Sequence, residues 1–83
     1  MVFLTSARYG PAWQGNLFVG ALAGRFLNRI EWQADGAGVR IVRETRLLTE
    51  LGERIRDVRQ GPDGLLYLLT DAGNGRLIRL LPN

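Results

Sequence analysis

Three observations predict an all-β fold for this 83-residue chain. Its apolar residues fall in runs of strand length. Glycine-containing turns bound those runs. Two of the runs recur at nearly constant spacing, Leu17 to Leu66 being 49 residues and Leu27 to Leu77 being 50.

The elements follow in chain order. A first short strand spans residues 2–5. After Gly15-Asn16, the run Leu17-Phe18-Val19-Gly20-Ala21-Leu22 places a strand over 16–22. Phe26 to Trp32 roughly alternates apolar and polar, which predicts a half-buried strand over 26–33. Val39-Arg40-Ile41-Val42-Arg43 is β-branched with arginines between, and predicts a strand over 39–44. Strands at 55–60, 65–70 and 76–81 complete the set. The turns are Ala23-Gly24, Asp35-Gly36-Ala37-Gly38, Pro62-Asp63-Gly64 and Gly73-Asn74-Gly75. Asp-Gly and Asn-Gly supply the positive φ that tight hairpins require. Residues 44–55 hold good helix formers, Leu47, Leu48 and Leu51, but Gly52 interrupts them. They read as a loop with room for one helical turn.

The repeat groups the strands. Gly15-Asn16-Leu17-Phe18-Val19 parallels Gly64-Leu65-Leu66-Tyr67-Leu68, and Leu27-Asn28-Arg29-Ile30 parallels Leu77-Ile78-Arg79-Leu80. Such a period in an all-β chain points to the blades of a β-propeller. The expected architecture is about two blades in a single partial propeller domain, a four-stranded one over residues 1–46 and a three-stranded one over 53–83. Propeller blades carry four strands, so the second lacks its outer strand. The open edge and the two blade faces without neighbours favour association.

Composition narrows the chemistry. There is no cysteine and no histidine. This excludes disulfides, a thiol nucleophile, an iron–sulfur cluster, Cys-ligated zinc and a self-contained Ser-His-Asp or Cys-His site. Eleven basic residues, all arginine, stand against eight acidic ones, for a net charge of +3. An arginine-only chain suits bidentate recognition of phosphate or carboxylate. It also suits a GC-rich coding sequence, and the arginines are spread along the chain rather than gathered. The modest net charge makes nucleic acid the weakest of the partners weighed. No signal peptide is visible, and no apolar run approaches about 18 residues, so no membrane span is expected; compartment is left open by the residues themselves.

Individual residues follow from spacing. Arg54 and Arg56, two apart in a strand, project to the same side with backbones roughly 6–7 Å apart. Two such forks can hold a planar polycarboxylate. The alternative is a solvent-facing strand entrance with ion pairs to Glu53 or Asp57. Asp63 and Asp71 are separated by a strand, and Asp63 reads as a turn former. No carboxylate pair is spaced for glycoside hydrolysis, and no metal site or calcium loop is present. Trp13 reads as packing between blades and Trp32 as a strand rim, with stacking on a sugar the lesser reading of each.

Gly52 to Asp71, with its Arg54-Ile55-Arg56-Asp57-Val58 and Gly61-Pro62-Asp63-Gly64 motifs, resembles the end of the soluble aldose sugar dehydrogenases. This is the glucose/sorbosone dehydrogenase family, which uses pyrroloquinoline quinone (PQQ). Trp13 to Leu22, with the Trp13-x-Gly15 spacing, and the opening Phe3-Leu4-Thr5 resemble the preceding blade of the same family. The resemblance covers essentially the whole chain. It implies the last third of a six-bladed propeller whose final blade is completed by the N-terminal strand of the whole protein. It implies that Arg54 and Arg56 bind the acidic groups of PQQ. A family lysine that also reaches the cofactor is replaced here by Ala23. The histidine base and the calcium ligands of the family lie on earlier blades. The family is bacterial, periplasmic or secreted.

Two readings of function result. In the first, the chain is the C-terminal two-blade portion of a PQQ-dependent enzyme that oxidises an aldose to its lactone. It then contributes cofactor anchors but no catalytic residue, and alone it lacks the base. In the second, it is a non-catalytic module that self-associates, for example as three two-blade chains, and binds a small anionic or sugar ligand.

Overall fold

The computed structural model describes residues 1–21, 23–71 and 75–82. The end of the predicted second strand at Leu22, and Gly73 and Asn74 of the last predicted turn, lie outside the described residues. Seven strands form two antiparallel sheets: β1 (Val2–Phe3), β2 (Leu17–Ala21), β3 (Phe26–Asp35), β4 (Gly38–Leu47), β5 (Ile55–Gln60), β6 (Leu66–Thr70) and β7 (Leu77–Leu80). The first sheet has order β1-β2-β3-β4 and the second β5-β6-β7. The predicted four-plus-three division is therefore observed.

Local chemistry sets the turns. The β3–β4 hairpin closes at Asp35 opposite Gly38, with Gly36 at φ 62°, the conformation a two-residue loop demands. Both strands run up to this turn, which is why β3 extends beyond the expected boundary at residue 33. In the Pro62-Asp63-Gly64 turn, Gly64 N–H donates to the Gly61 carbonyl and Leu65 N–H to Asp63 Oδ1 at 3.1 Å. Asp63 is thus a turn former.

The segment after residue 44 departs from expectation. β4 continues to Leu47, which pairs with Leu27. A short 3-10 turn, Thr49–Leu51, follows, with Leu48 and Gly52 in the left-handed region on either side. Glu44-Thr45-Arg46 is polar and gives no strand signal by itself. Pairing with Ile30, Arg29 and Asn28 holds it extended. Leu47, Leu48 and Leu51 then pack on the core.

The core is the seam between the sheets. Leu4, Phe18 and Leu27 from the first meet Ile55, Val58, Leu66 and Leu68 from the second, all at most 1% exposed. Approach is close at Gly20, where a Cβ would come within 2.7 Å of the Ile55 carbonyl oxygen. The repeat explains which residues are buried. Phe18 and its equivalent Tyr67 occupy the same side of their sheets, so Phe18 enters the seam while Tyr67 lies on the outer face of the second sheet. Leu66 enters the seam, and its equivalent Leu17 lies on the outer face of the first, in an apolar groove with Phe3, Ile30, Trp32 and Ile41. Two blades share one interface, so each repeat position is buried in only one copy.

A polar clasp closes the seam. Thr5 N–H donates to Gln60 Oε1 at 2.8 Å, Gln60 Nε2 returns a bond to Thr5 Oγ1, and Ser6 Oγ donates to the Gly64 carbonyl at 2.5 Å. Tyr9 Oη accepts from Leu66 N–H at 2.7 Å and donates to the Leu80 carbonyl at 2.6 Å. Leu66 and Leu80 are partners across β6 and β7. A hydroxyl from the loop between β1 and β2 therefore bridges the end of the ladder in the second sheet.

Candidate functional site

The site is built where the two sheets come together at the entrance to β5. Arg54 immediately precedes the strand, Ile55 is buried in the seam, and Arg56 is exposed. The exposed–buried–exposed order matches the alternation expected from the sequence, but it is not produced by a regular strand over all three residues. Spacing alone did not reveal the β-bulge between Ile55 and Asp57, which leaves Arg56 as the extra residue opposite β6. The Arg54 backbone is fixed, its carbonyl accepting from Asp71 N–H at 2.8 Å. Arg54 lines a cleft of about 190 Å³ with Arg25, Gly52, Glu53 and Asp71. Arg56 stands outside that lining. Ligand pockets run to about 300–1,000 Å³, so this cleft has room for one edge of a ligand rather than a whole molecule.

The two carboxylates adjacent in sequence to these arginines, Glu53 and Asp57, are engaged elsewhere, while Asp71 lines the cleft beside Arg54. Glu53 is gripped by Arg76, whose guanidinium donates to both of its carboxylate oxygens. That bond, with help from the Thr70 hydroxyl, holds the Glu53 carboxyl below its usual range. Asp57 accepts from Arg59 Nε at 3.1 Å and from Val58 N–H. Among the described residues, neither Arg54 nor Arg56 forms an ion pair. Sequence reasoning missed the Glu53–Arg76 pair, although the β6–β7 register could have suggested it. Thr70 and Arg76 close that hairpin, Thr70 N–H donating to the Arg76 carbonyl, and Glu53 lies just ahead of the neighbouring strand.

The tryptophans are occupied by packing. Trp13 stacks on Tyr9 at 5.3 Å, leans on Phe18 and lies under the Arg29 guanidinium at 5.2 Å. Trp32 makes an edge contact with Phe3 and donates Nε1–H to the Gly15 carbonyl at 2.8 Å. Among the described residues, Arg54 and Arg56 are thus two exposed arginines outside any ion pair, on either side of buried Ile55; Arg54 shares its cleft with Arg25 and Asp71, and Arg56 stands outside it. Exposed guanidinium groups of this kind can bind an anion by forked, charge-assisted hydrogen bonds.

Comparison with known proteins decides the family, because the profile of Glucose / Sorbosone dehydrogenase matches residues 1–79. The chain belongs to the glucose/sorbosone dehydrogenase family. It is 42% identical over 82 residues to Aldose sugar dehydrogenase YliI of Escherichia coli (strain K12), covering 99% of this chain and 21% of that protein. It is 44% identical over 70 residues to Uncharacterized protein slr1608 of Synechocystis, covering 84% of this chain and 16% of that one. A solved structure titled glucose dehydrogenase superposes with a TM-score of 0.86 at 47% identity, covering 98% of this chain and 24% of the other. The apo form of the soluble aldose sugar dehydrogenase from Escherichia coli gives 0.78 at 42% identity, over 98% of this chain and 22% of that one. The chain therefore spans about a fifth of the length of the curated relatives it matches. Its two sheets are two blades of the propeller-type dehydrogenase fold.

Proposed function

We propose that this chain is the two-blade, cofactor-anchoring portion of a quinone-dependent aldose sugar dehydrogenase. The observation that carries the reading is the pair Arg54 and Arg56, exposed on either side of buried Ile55 while Glu53 and Asp57 are held by other arginines. The donor set fits PQQ, a planar molecule with several carboxylates, because two guanidinium forks present parallel N–H groups to such acids. Bound quinone would supply the hydride acceptor for oxidation of a sugar's anomeric hydroxyl to the lactone. This chain's own residues bind and orient, since it has no histidine to serve as the base. The test is titration of PQQ into the chain, followed by fluorescence, with Arg54→Ala and Arg56→Ala alongside. Saturable binding weakened by both substitutions supports the reading. Equal binding by all three proteins, or none by the parent chain, counts against it.

A second reading, self-association into a binding module, is favoured by the outer face of the first blade. Phe3, Val39 and Ile41 are 52%, 66% and 56% exposed there, beside Trp32. Such a face favours a covering partner. A head-to-tail ring of three chains would set this face against the outer face of the second blade, and so bury Arg59 and Arg79 beside apolar groups, at a desolvation cost. Pairing of two apolar faces avoids that cost. Light scattering on a sizing column separates the cases: a discrete dimer or trimer supports self-association, and a monomer refutes it.

A further inference from the structure

We propose that Arg25 is a third anchor of this site, reaching from the first blade across the seam to the acidic group that Arg54 holds. The inference rests on the anion-binding reading above and adds a residue which that reading does not contain. Its consequence is that a bound anion ties the two blades together.

The first support is placement. Arg25 sits at the tip of the β2–β3 hairpin and lines the same cleft as Arg54. Its Nη1 donates to the Gly52 carbonyl at 3.5 Å, the long limit of a hydrogen bond. The guanidinium is therefore positioned but weakly held, with donors to spare. The second support is charge. Among the described residues Arg25 forms no ion pair. Two carboxylates line the cleft; Glu53 is taken by Arg76, and only Asp71 opposes an incoming anion. Arg25 and Arg54 outnumber it.

The third support is backbone strain. Arg25 has φ 57°, in the left-handed region that disfavours any residue with a Cβ. Leu48 is the other described non-glycine residue with positive φ, and its side chain packs on the core. Arg25 is exposed and has no such packing role. The neighbouring hairpin holds the conformation in place. Gly24 lies against the Phe26 ring, which the Arg46 guanidinium covers at 4.7 Å. Strain retained at an exposed side chain, where glycine would relax the backbone, points to use of the side chain.

The test titrates PQQ into the 83-residue chain, with inorganic phosphate as a control anion, and records both affinity and ligand-induced melting shift. Arg25→Ala keeps the backbone penalty and removes the guanidinium, and is expected to weaken binding by on the order of fivefold. Arg25→Lys, which keeps charge without the fork, is expected to fall between. Arg25→Gly is expected to melt higher than the parent, because the strain is relieved, yet to bind as weakly as Arg25→Ala. It also keeps the test open should the alanine variant fold poorly. Arg25→Ala binding like the parent while Arg54→Ala binds weakly would overturn the Arg25 proposal alone. If neither variant loses affinity, the anion-binding reading itself falls.

Discussion

Replacing Tyr9 with Phe tests how the two blades are held together. The hydroxyl accepts from Leu66 N–H and donates to the Leu80 carbonyl, so its removal leaves two backbone groups of a half-closed ladder without partners. A donor or acceptor left unsatisfied out of water costs about 1–3 kcal/mol. The ring remains, stacked on Trp13, so packing is preserved and the hydroxyl alone is measured. For a domain of this size, a loss of about 2 kcal/mol lowers the melting temperature by about 8–16 °C. Urea unfolding followed by circular dichroism reads the change directly. A second signature is alkaline. Burial raises the Tyr9 pKa despite the opposing Leu66 bond. A raised pKa contributes stability that is present below the unfolded value, about 10, and is lost as pH rises through the folded value. Tyr9→Phe removes that part of the alkaline loss and leaves the part due to Tyr67, whose pKa its bond to Asp63 raises. A variant within about 0.5 kcal/mol of the parent, the range of an ordinary surface change, would refute the clasp.

Further outcomes follow from the seam and the turn. Gly20→Ala places a Cβ 2.5 Å from Ile55 Cγ2 and 2.7 Å from the Ile55 carbonyl oxygen. It is expected to cost about 1–3 kcal/mol through overpacking, measured as a fall in the urea midpoint; an unchanged midpoint would show that the blades can part without cost. Asp63 has its carboxyl held below its usual range by the Tyr67 hydroxyl and then by Leu65 N–H. The stability it contributes is present above the unfolded carboxylate value, about 3.9, and is lost as pH falls through the folded one. Asp63→Asn is expected to flatten that acid limb of a stability–pH profile, and a limb of unchanged slope would contradict the assignment.

Much of this architecture was legible in the residues, for identifiable reasons. Alternation and Asp-Gly turns are local, so the hairpins at Gly36 and Gly64 fell where expected. The repeat carried the register, because Leu17 and Leu66 both open the second strand of a blade. It could not carry burial, which depends on the side where a neighbour sits. Residues 44–47 form a strand because of their partners in β3, and no local signal announces that. The Tyr9 clasp joins residues 57 and 71 positions apart, a separation that periodicity cannot see. At the candidate site, the spacing of Arg54 and Arg56 was informative but incomplete. The bulge at Arg56, the engagement of Glu53 by Arg76 and the presence of Arg25 in the cleft all depend on how strands meet.

The most direct test of the central claim is calorimetric titration of PQQ into the parent chain and into the Arg54→Ala/Arg56→Ala double variant at low ionic strength. Binding by exposed guanidinium groups is screened by salt, so the titration is repeated at high salt. The account predicts saturable binding to the parent that weakens with salt and disappears in the double variant. Binding that is indifferent to both arginines, or a parent chain that takes up no quinone, would contradict it.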